Sequence, residues 1–235
     1  MSRNSLMSDG VTVRDAATAA VLRDGTEGLE VLLLRRHGGH VFGANAYVFP
    51  GGAVDDSDAD AVLAARVSAG VDYARACLGE TGRPLAFWLA AIRECFEEAG
   101  LLVGCSHLPA EIPAGERDAL NAGDRSWADV AARLELRFAL DDLVYFAQWT
   151  TPPGRPRRYA TRFFAARAPE GQRAACDGHE TVDHWWAGPA AALASHDRGE
   201  IEMMHPTRVT LERLCDYEDV ESALAGLMAD GTVSS

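Results

Sequence analysis

The residues PLAFWLAAIRECFEEAG, at positions 84–100, decide the fold of this chain. Proline is favoured at the first position of a helix and glycine directly after the last, so this stretch predicts one helix from Pro84 to Ala99. At about 100° per residue, the apolar side chains fall on one arc and three glutamates fall on the opposite arc. The apolar arc holds Leu89, Ile92, Cys95, Phe96 and Ala99, and the acidic arc holds Glu94, Glu97 and Glu98.

The acidic arc needs a compensating charge. Like charges three or four residues apart destabilise a helix by roughly 0.2–0.5 kcal/mol per pair. A hard divalent cation compensates directly, because Mg²⁺ takes oxygen ligands and keeps waters that can bind phosphate. Arg93, one turn before Glu97, is positioned to hold that carboxylate. From spacing alone, a solvated acidic face is an equally good interpretation.

A glycine pair upstream of this helix favours the interpretation as a cation site over a solvated acidic face. Phe49-Pro50-Gly51-Gly52 ends a short predicted strand. Two glycines permit a tight loop whose backbone carbonyl can approach the same ion. The sequence therefore predicts that the loop at Gly52 lies beside the glutamates of the helix.

These residues together resemble the Nudix box of the Nudix hydrolase superfamily, Gly-x5-Glu-x7-Arg-Glu-U-x-Glu-Glu-x-Gly-U, where U is apolar. Gly52 and Asp58 match the first half, and residues 93–101 match the second half completely. Asp58 stands where the box has Glu, and residues 59–92 separate it from Arg93 where the box has seven residues. Such an interrupted box resembles coenzyme A diphosphatase-like Nudix proteins, and the likeness extends through 149–164, 177–186 and 204–207.

The resemblance implies an α/β/α sandwich with a mixed β-sheet and a helical insertion inside the box. It also implies Mg²⁺ or Mn²⁺ as cofactor and attack of water on a diphosphate that links a nucleoside to another group. The implied metal ligands are Glu94, Glu97, Glu98, the Gly52 carbonyl and Asp58. The implied catalytic residues are Arg93, which orients a carboxylate, with Glu97, Glu98 and Glu180; either Glu98 or Glu180 serves as general base.

Substrate phosphates are expected to meet arginine, whose planar fork of donors suits phosphate oxygens. The candidates are Arg36, Arg158 and Arg162; strand alternation puts only one of Arg35 and Arg36 on the site face, and Arg36 is preferred. The motif of coenzyme A-specific relatives is kept at Leu32, Leu33 and Arg36 but not at His40, Val41, Gly43, Asn45 and Tyr47. We therefore expect CoA or acyl-CoA first, with ADP-ribose, NADH or FAD as alternatives. A catalytically silent nucleotide-binding sensor is the alternative from another class.

Composition limits the other possibilities. All 22 basic residues are arginine, which excludes a Schiff-base lysine and a P-loop lysine. A net charge of −13 argues against binding a long nucleic acid or an anionic membrane. Five scattered cysteines without a CxxC pair and the absence of an apolar leader favour a cytoplasmic location. Dimers are common in the superfamily, so a homodimer is a further expectation.

The length of 235 residues predicts one Nudix domain over 1–235. Residues 1–10 are expected to be disordered, 59–83 to form a helical insertion and 189–235 to form C-terminal helices. Strands are predicted at 11–22, 29–36, 47–49, 143–150, 158–167 and 181–187, and further helices at 126–134, 189–197, 206–217 and 220–228.

Overall fold

The computed structural model describes residues 11–38, 45–78, 83–109 and 111–231, with the backbone of 233 and 234. The strands are β1 (Val13–Gly25), β2 (Gly28–Arg36), β3 (Tyr47–Val48), β4 (Gly51–Ala53), β5 (Val67–Ala69), β6 (Cys105–His107), β7 (Arg137–Ala139), β8 (Leu143–Thr150), β9 (Arg158–Arg167), β10 (Thr181–Ala187) and β11 (Val233–Ser234). The helices are α1 (Ala61–Ala64), α2 (Val71–Leu78), α3 (Pro84–Ala99), α4 (Glu116–Asn121), α5 (Trp127–Arg133), α6 (Pro189–Asp197), α7 (His205–Leu214) and α8 (Val220–Ala229). Short 3₁₀ turns cover Asp56–Ala59 and Leu140–Asp142.

The main sheet is mixed. Its strand order is β10-β2-β1-β9-β8-β11, with β3 on β2 and β4 on β1. The pairs β1–β9 and β8–β11 are parallel, and the other pairs of this sheet are antiparallel. A second sheet has the order β5-β7-β6. The predicted mixed sheet is therefore confirmed.

Both faces of the main sheet are buried. Alternate side chains of a strand point to opposite faces, and on β1 both sets are small or apolar. Ala17, Ala19 and Val21 pack on the side of α3, and Ala20 and Leu22 pack on the side of the C-terminal helices. Helices thus cover both faces, which confirms the α/β/α sandwich.

The insertion at 59–83 is not wholly helical, so that prediction is corrected. Between α1 and α2 the chain forms β5, which pairs in parallel with β7. Ser68 Oγ donates to the Phe138 carbonyl at 2.9 Å, and Gly70 turns the chain with φ +83°. The partner strand lies about 70 residues away in sequence. A local apolar pattern carries no signal of such a distant pairing, and the Ala-rich composition favoured helix.

The C-terminal region agrees with the prediction except at its end. The helix α6 has the predicted bounds, and α7 begins one residue and ends three residues before the predicted bounds. The strand β11, predicted as part of the helical region, instead pairs with β8. Residues 1–10 lie outside the described residues. Within the described ranges, none of the helices is both long and apolar enough to cross a bilayer.

Candidate active site on the box helix

The acidic arc of α3 is buried. Glu94 and Glu98 are each 8% exposed, and the side chain of Glu97 is 22% exposed. The helix lies between the main sheet and the layer that contains α2, α4 and α5, so little of its circumference reaches solvent. The interpretation as a solvated acidic face is therefore wrong.

Arg93 donates hydrogen bonds to acidic side chains from both halves of the box. A guanidinium has five N–H donors, and each of the five has an acceptor here. Nε and Nη2 donate to the two oxygens of Asp58 at 2.8 and 3.0 Å, and Nη2 also donates to the Ala53 carbonyl at 3.0 Å. Nη1 donates to Glu94 Oε1 at 2.8 Å and to Glu97 Oε2 at 2.7 Å. Arg93 thus fixes two glutamates of its own helix.

Asp58 lies inside the protein, with none of its surface exposed. It ends the capping box of the 3₁₀ turn Asp56–Ala59, where its Oδ2 accepts from the Asp55 amide at 2.8 Å. Its two oxygens are both engaged by Arg93. Next to it, Arg83 Nη1 donates to Asp56 Oδ1 at 2.5 Å and ties the end of the insertion to its beginning. The geometry favours Asp58 as the anchor of Arg93.

The glycine loop touches the glutamates. The strand β4 pairs with β1 so that Gly51 lies opposite Thr18, and Thr18 Oγ1 donates to the Pro50 carbonyl at 2.7 Å. The Gly51 amide donates to Glu98 Oε2 at 3.0 Å. A Cβ atom on Gly52 would lie 2.5 Å from Glu94 Oε1. A side chain at position 52 would therefore displace this carboxylate, and glycine leaves it in place.

The buried carboxylates lack enough positive charge around them. Burial raises the pKa of Glu94 to about 8, although Arg93 opposes the rise. Burial also raises the pKa of Glu97, and it raises that of Glu98 well above its usual range, with the charge of Glu94 adding to it. Glu94, Glu97 and Asp58 share the guanidinium of Arg93, whereas Glu98 accepts from the Gly51 amide. A bound cation would relieve this excess of negative charge.

The donor set fits a hard divalent ion, because it consists of carboxylate oxygens and a nearby backbone carbonyl. Within the described ranges, no three acidic, histidine or cysteine side chains are already arranged as a metal centre. Glu94 and Glu97 instead turn towards Arg93, and Glu98 turns towards the Gly51 amide. These are the three glutamates that the sequence pattern named as ligands.

The C-terminal end of α3 is held from several sides. Gly100 has φ 69°, and the amides of Gly100 and Leu101 close the last turn onto Phe96 and Cys95. The remaining carbonyls accept hydrogen bonds from other segments. The Glu97 carbonyl accepts from Arg117 Nε at 2.9 Å and from Asn121 Nδ2 at 3.2 Å. The Glu98 carbonyl accepts from Thr181 Oγ1 at 3.1 Å, and the Ala99 carbonyl accepts from the Ala175 amide at 2.9 Å. The orphan carbonyls of this helix end therefore have partners.

Glu180 and Arg36 also lie close to the glutamates of α3. Glu180 is exposed in the turn before β10, and its carbonyl accepts from the His37 amide at 2.8 Å. Its charge adds to the effect of burial in raising the pKa of both Glu97 and Glu98. The charge of Arg36 acts on Glu98 in the opposite direction. The structure thus brings both residues to the glutamates.

Arg162 and Arg158 are held elsewhere on β9. Arg162 Nη1 donates to Asp15 Oδ1 at 2.6 Å, and its guanidinium lies 4.0 Å from the centre of the Phe87 ring. Phe87 precedes Glu94 by seven residues, which is about 10 Å along the helix. Arg158 Nε donates to the Thr151 carbonyl at 3.0 Å. These contacts hold both arginines away from the three glutamates.

Two residues at the site carry no role in the sequence prediction. Asp177 accepts from the amides of Glu180 and Thr181, and Thr181 also contacts α3. An aspartate whose side chain accepts from amides a few residues ahead is a known turn signal, so the pattern Asp-Gly-His-Glu-Thr at 177–181 could have indicated this turn. The contact with α3 has no such local signal. Of the positions that differ from the CoA-specific motif, His40, Val41 and Gly43 lie outside the described residues.

Comparison with known proteins identifies the family of this chain. The family model of the NUDT19 Nudix domain matches residues 79–214, which is more than half of the chain. The acyl-coenzyme A diphosphatase NUDT19 of Gallus gallus is 30% identical and that of Homo sapiens is 26% identical; each match covers 81% of this chain and 62% of that protein. The putative nudix hydrolase 7 of Caenorhabditis elegans is 25% identical over 80% of this chain and 57% of that protein.

The chain thus spans about 60% of the length of these curated relatives. A crystal structure of a NUDIX hydrolase from Alicyclobacillus acidocaldarius superposes with a TM-score of 0.78 at 30% identity. That match covers 92% of this chain and 97% of the other. The chain therefore belongs to the Nudix hydrolases, in the family of the NUDT19 Nudix domain.

Proposed function

We propose that this protein hydrolyses a diphosphate linkage in a nucleoside diphosphate derivative, with Mg²⁺ or Mn²⁺ as cofactor. The observation that carries the proposal is the set of three glutamates on one largely buried helix face, where Arg93 donates to Glu94 and Glu97 and the Gly51 amide donates to Glu98. Buried carboxylates are costly unless they are paired or coordinate a metal. A catalytically silent domain would have no need to keep all three.

Glu94, Glu97 and Glu98 would hold the divalent ion, together with the backbone carbonyl of Gly52. When bound, such an ion offsets the charge on the diphosphate oxygens and lowers the pKa of a coordinated water. Arg93 would orient Glu94 and Glu97, and Asp58 would hold Arg93 in turn. Asp58 is thus assigned a positioning role instead of a place among the ligands.

Glu180 would accept the proton of the attacking water. It is exposed, it lies in the turn that contacts α3 through Thr181, and its charge raises the pKa of both Glu97 and Glu98. Glu98, the other candidate base, already accepts from the Gly51 amide. Arg36, whose charge acts on Glu98, would bind a phosphate oxygen of the substrate. Arg158 and Arg162 would contact a more distant part of an extended substrate.

The proposed substrate class is CoA or an acyl-CoA. Two curated relatives of this chain are named acyl-coenzyme A diphosphatase, and the chain keeps Arg36 of the CoA-specific motif. Hydrolysis would break the diphosphate of CoA into 3′,5′-ADP and a phosphopantetheine. ADP-ribose, NADH and FAD contain the same linkage and are the alternatives.

The test is product analysis after incubation with Mg²⁺ or Mn²⁺ and one of CoA, acetyl-CoA, ADP-ribose, NADH or FAD. Formation of 3′,5′-ADP from CoA, abolished in E98Q, supports the proposal. Formation of AMP from the other compounds in preference to CoA would change the substrate class. Binding of the compounds without any cleavage would support the sensor alternative instead.

The single-domain organisation over 1–235, the cytoplasmic location and the homodimer are proposals that rest on the sequence. The five cysteines form no disulfide in the structure. Light scattering on the purified protein measures the oligomeric state, and fractionation of the source cells measures the location.

A further inference from the structure

We infer that Asp177 and Thr181 form a positioning device that fixes Glu180 against the C-terminal end of α3. The inference deepens the proposed function, because it explains how an exposed loop acid is held in place for proton transfer. Asp177 and Thr181 themselves touch neither substrate nor metal in this account; they act through Glu180.

Asp177 organises the turn. Its Oδ2 accepts from the Glu180 amide at 3.0 Å, and its Oδ1 accepts from the Thr181 amide at 2.8 Å. Thr181 Oγ1 lies 2.9 Å from the same Oδ1, so Asp177 and the Glu98 carbonyl share the single hydroxyl proton of Thr181. Gly178 adopts φ +79°, and its amide donates to the Thr181 carbonyl at 3.0 Å. One carboxylate therefore closes the turn around Glu180.

Thr181 joins this turn to the box helix. Its residue surface is 1% exposed, and Oγ1 lies 3.1 Å from the Glu98 carbonyl. On the other side, the His37 amide donates to the Glu180 carbonyl at 2.8 Å. The backbone of Glu180 is thus held at its amide, at its carbonyl and at the next residue, whereas its side chain stays exposed.

Strand pairing alone does not require this arrangement. The register of β10 against β2 places Thr181 opposite Arg36 and needs no carboxylate at position 177. Fixing a loop backbone costs conformational entropy. An exposed acid with a fixed backbone next to three metal-ligand candidates is what a general base requires, because small misplacements of a catalytic group are costly.

The kinetic test uses D177A, T181V and T181S, with D219A as matched control. Asp219 also accepts from a backbone amide at a turn, but it caps α8 on the opposite face of the sheet. We expect D177A and T181V to lower kcat about 10- to 100-fold with little change in KM, and T181S to restore it. D219A should keep the kcat of the unmodified protein. Loss of activity in T181S equal to that in T181V would overturn the inference.

A double-mutant cycle with E180Q separates positioning from general damage. If Asp177 acts through Glu180, D177A should lower kcat far less in the E180Q background than in the unmodified protein. Independent, additive losses would contradict the inference.

Hydrogen exchange gives a readout that does not depend on activity. D177A should speed exchange of the amides of Glu180 and Thr181 at least tenfold, while amides in the middle of α3 keep their rates. Unchanged exchange at both amides would overturn the inference even if the protein is active. Faster exchange in a protein that cleaves none of the tested compounds would support the device and contradict the proposed function, so the two failures are distinguishable.

Discussion

The two halves of the Nudix box reach the site in different ways. The second half, residues 93–101, lies on the last turns of α3 and the two residues that follow it, and the helix spacing alone puts three glutamates on one arc. The first half, Gly52 and Asp58, lies on a strand and a 3₁₀ turn and is separated from the helix by the insertion. Arg93 joins the two halves, because its Nε and Nη2 donate to Asp58 and its Nη1 donates to Glu94 and Glu97.

The two halves of the box therefore differ in their proposed roles. The helical half supplies the carboxylates that would hold the metal. The other half supplies the glycine loop that touches Glu94 and Glu98 and the aspartate that holds Arg93. The insertion adds little to the cost of bringing the halves together, because the entropy of loop closure grows only slowly with loop length.

The largest expected effect is on activity and comes from the helical half. Glu98→Gln and Glu97→Gln should each lower kcat/KM at least about 1000-fold, or roughly 4 kcal/mol, because the amide gives up the charge that binds the metal. Glu98→Gln should not lower the Tm of the metal-free protein, because a neutral side chain suits this buried position. Steady-state kinetics and calorimetric unfolding check both statements, and full activity in both variants would contradict the assignment of the ligands.

The next effect is on stability and comes from the link between the halves. Arg93→Gln should lower the free energy of unfolding without metal by about 3–5 kcal/mol, because it leaves buried carboxylates without their partner. Arg208→Gln, which removes an exposed ion pair with Glu212, is the matched control and should leave stability nearly unchanged. Urea unfolding measures both. A loss for Arg93→Gln no greater than for the control would show that Arg93 does not hold the site together.

A smaller effect is expected from the glycine loop. Gly52→Ala places a methyl group 2.5 Å from Glu94 Oε1 and should lower kcat about 10- to 100-fold by displacing that carboxylate. Gly188→Ala is the control, because its methyl group would meet only the Leu29 carbonyl at 3.9 Å. Kinetics of the two variants under identical metal concentrations decide the point. Equal activities would mean that the loop yields to the added methyl.

The smallest effect is a dependence of metal stabilisation on pH. Burial raises the pKa of Glu94 from 4.5 to about 8, so ionising it costs stability as the pH rises through this window. Metal binds the ionised carboxylate and competes with the proton, so the increase in Tm caused by Mg²⁺ should be small at pH 5 and largest at pH 8. Differential scanning fluorimetry with and without Mg²⁺ measures it. A shift of the same size at both pH values would contradict the account.

Local spacing predicted the parts of this molecule that depend on local chemistry. The helix Pro84–Ala99, the strand Arg158–Arg167 and the helix Pro189–Asp197 have the bounds that their proline, glycine and apolar patterns predict. The three glutamates and the approach of Gly52 were likewise predictable, because a helix repeat and a glycine pair determine them.

The rest depends on contacts between distant residues. The strand β5 exists because β7 lies beside it, and Asp58 is buried because Arg93 reaches it from 35 positions away. The anchoring of the Glu180 turn on the Glu98 carbonyl spans 83 positions. No periodicity in a single sequence encodes such pairings, so the pattern could not predict the burial of Asp58 against Arg93 or the contact of Thr181 with α3.

Measuring Mn²⁺ binding shows whether the helical half of the box holds the metal. Electron paramagnetic resonance counts free Mn²⁺ at pH 8 in the presence of the unmodified protein, Glu98→Gln, Glu97→Gln or the control Arg208→Gln. We expect the two glutamate variants to bind Mn²⁺ at least tenfold more weakly and the control to bind like the unmodified protein. Equal binding by all four proteins would contradict this expectation.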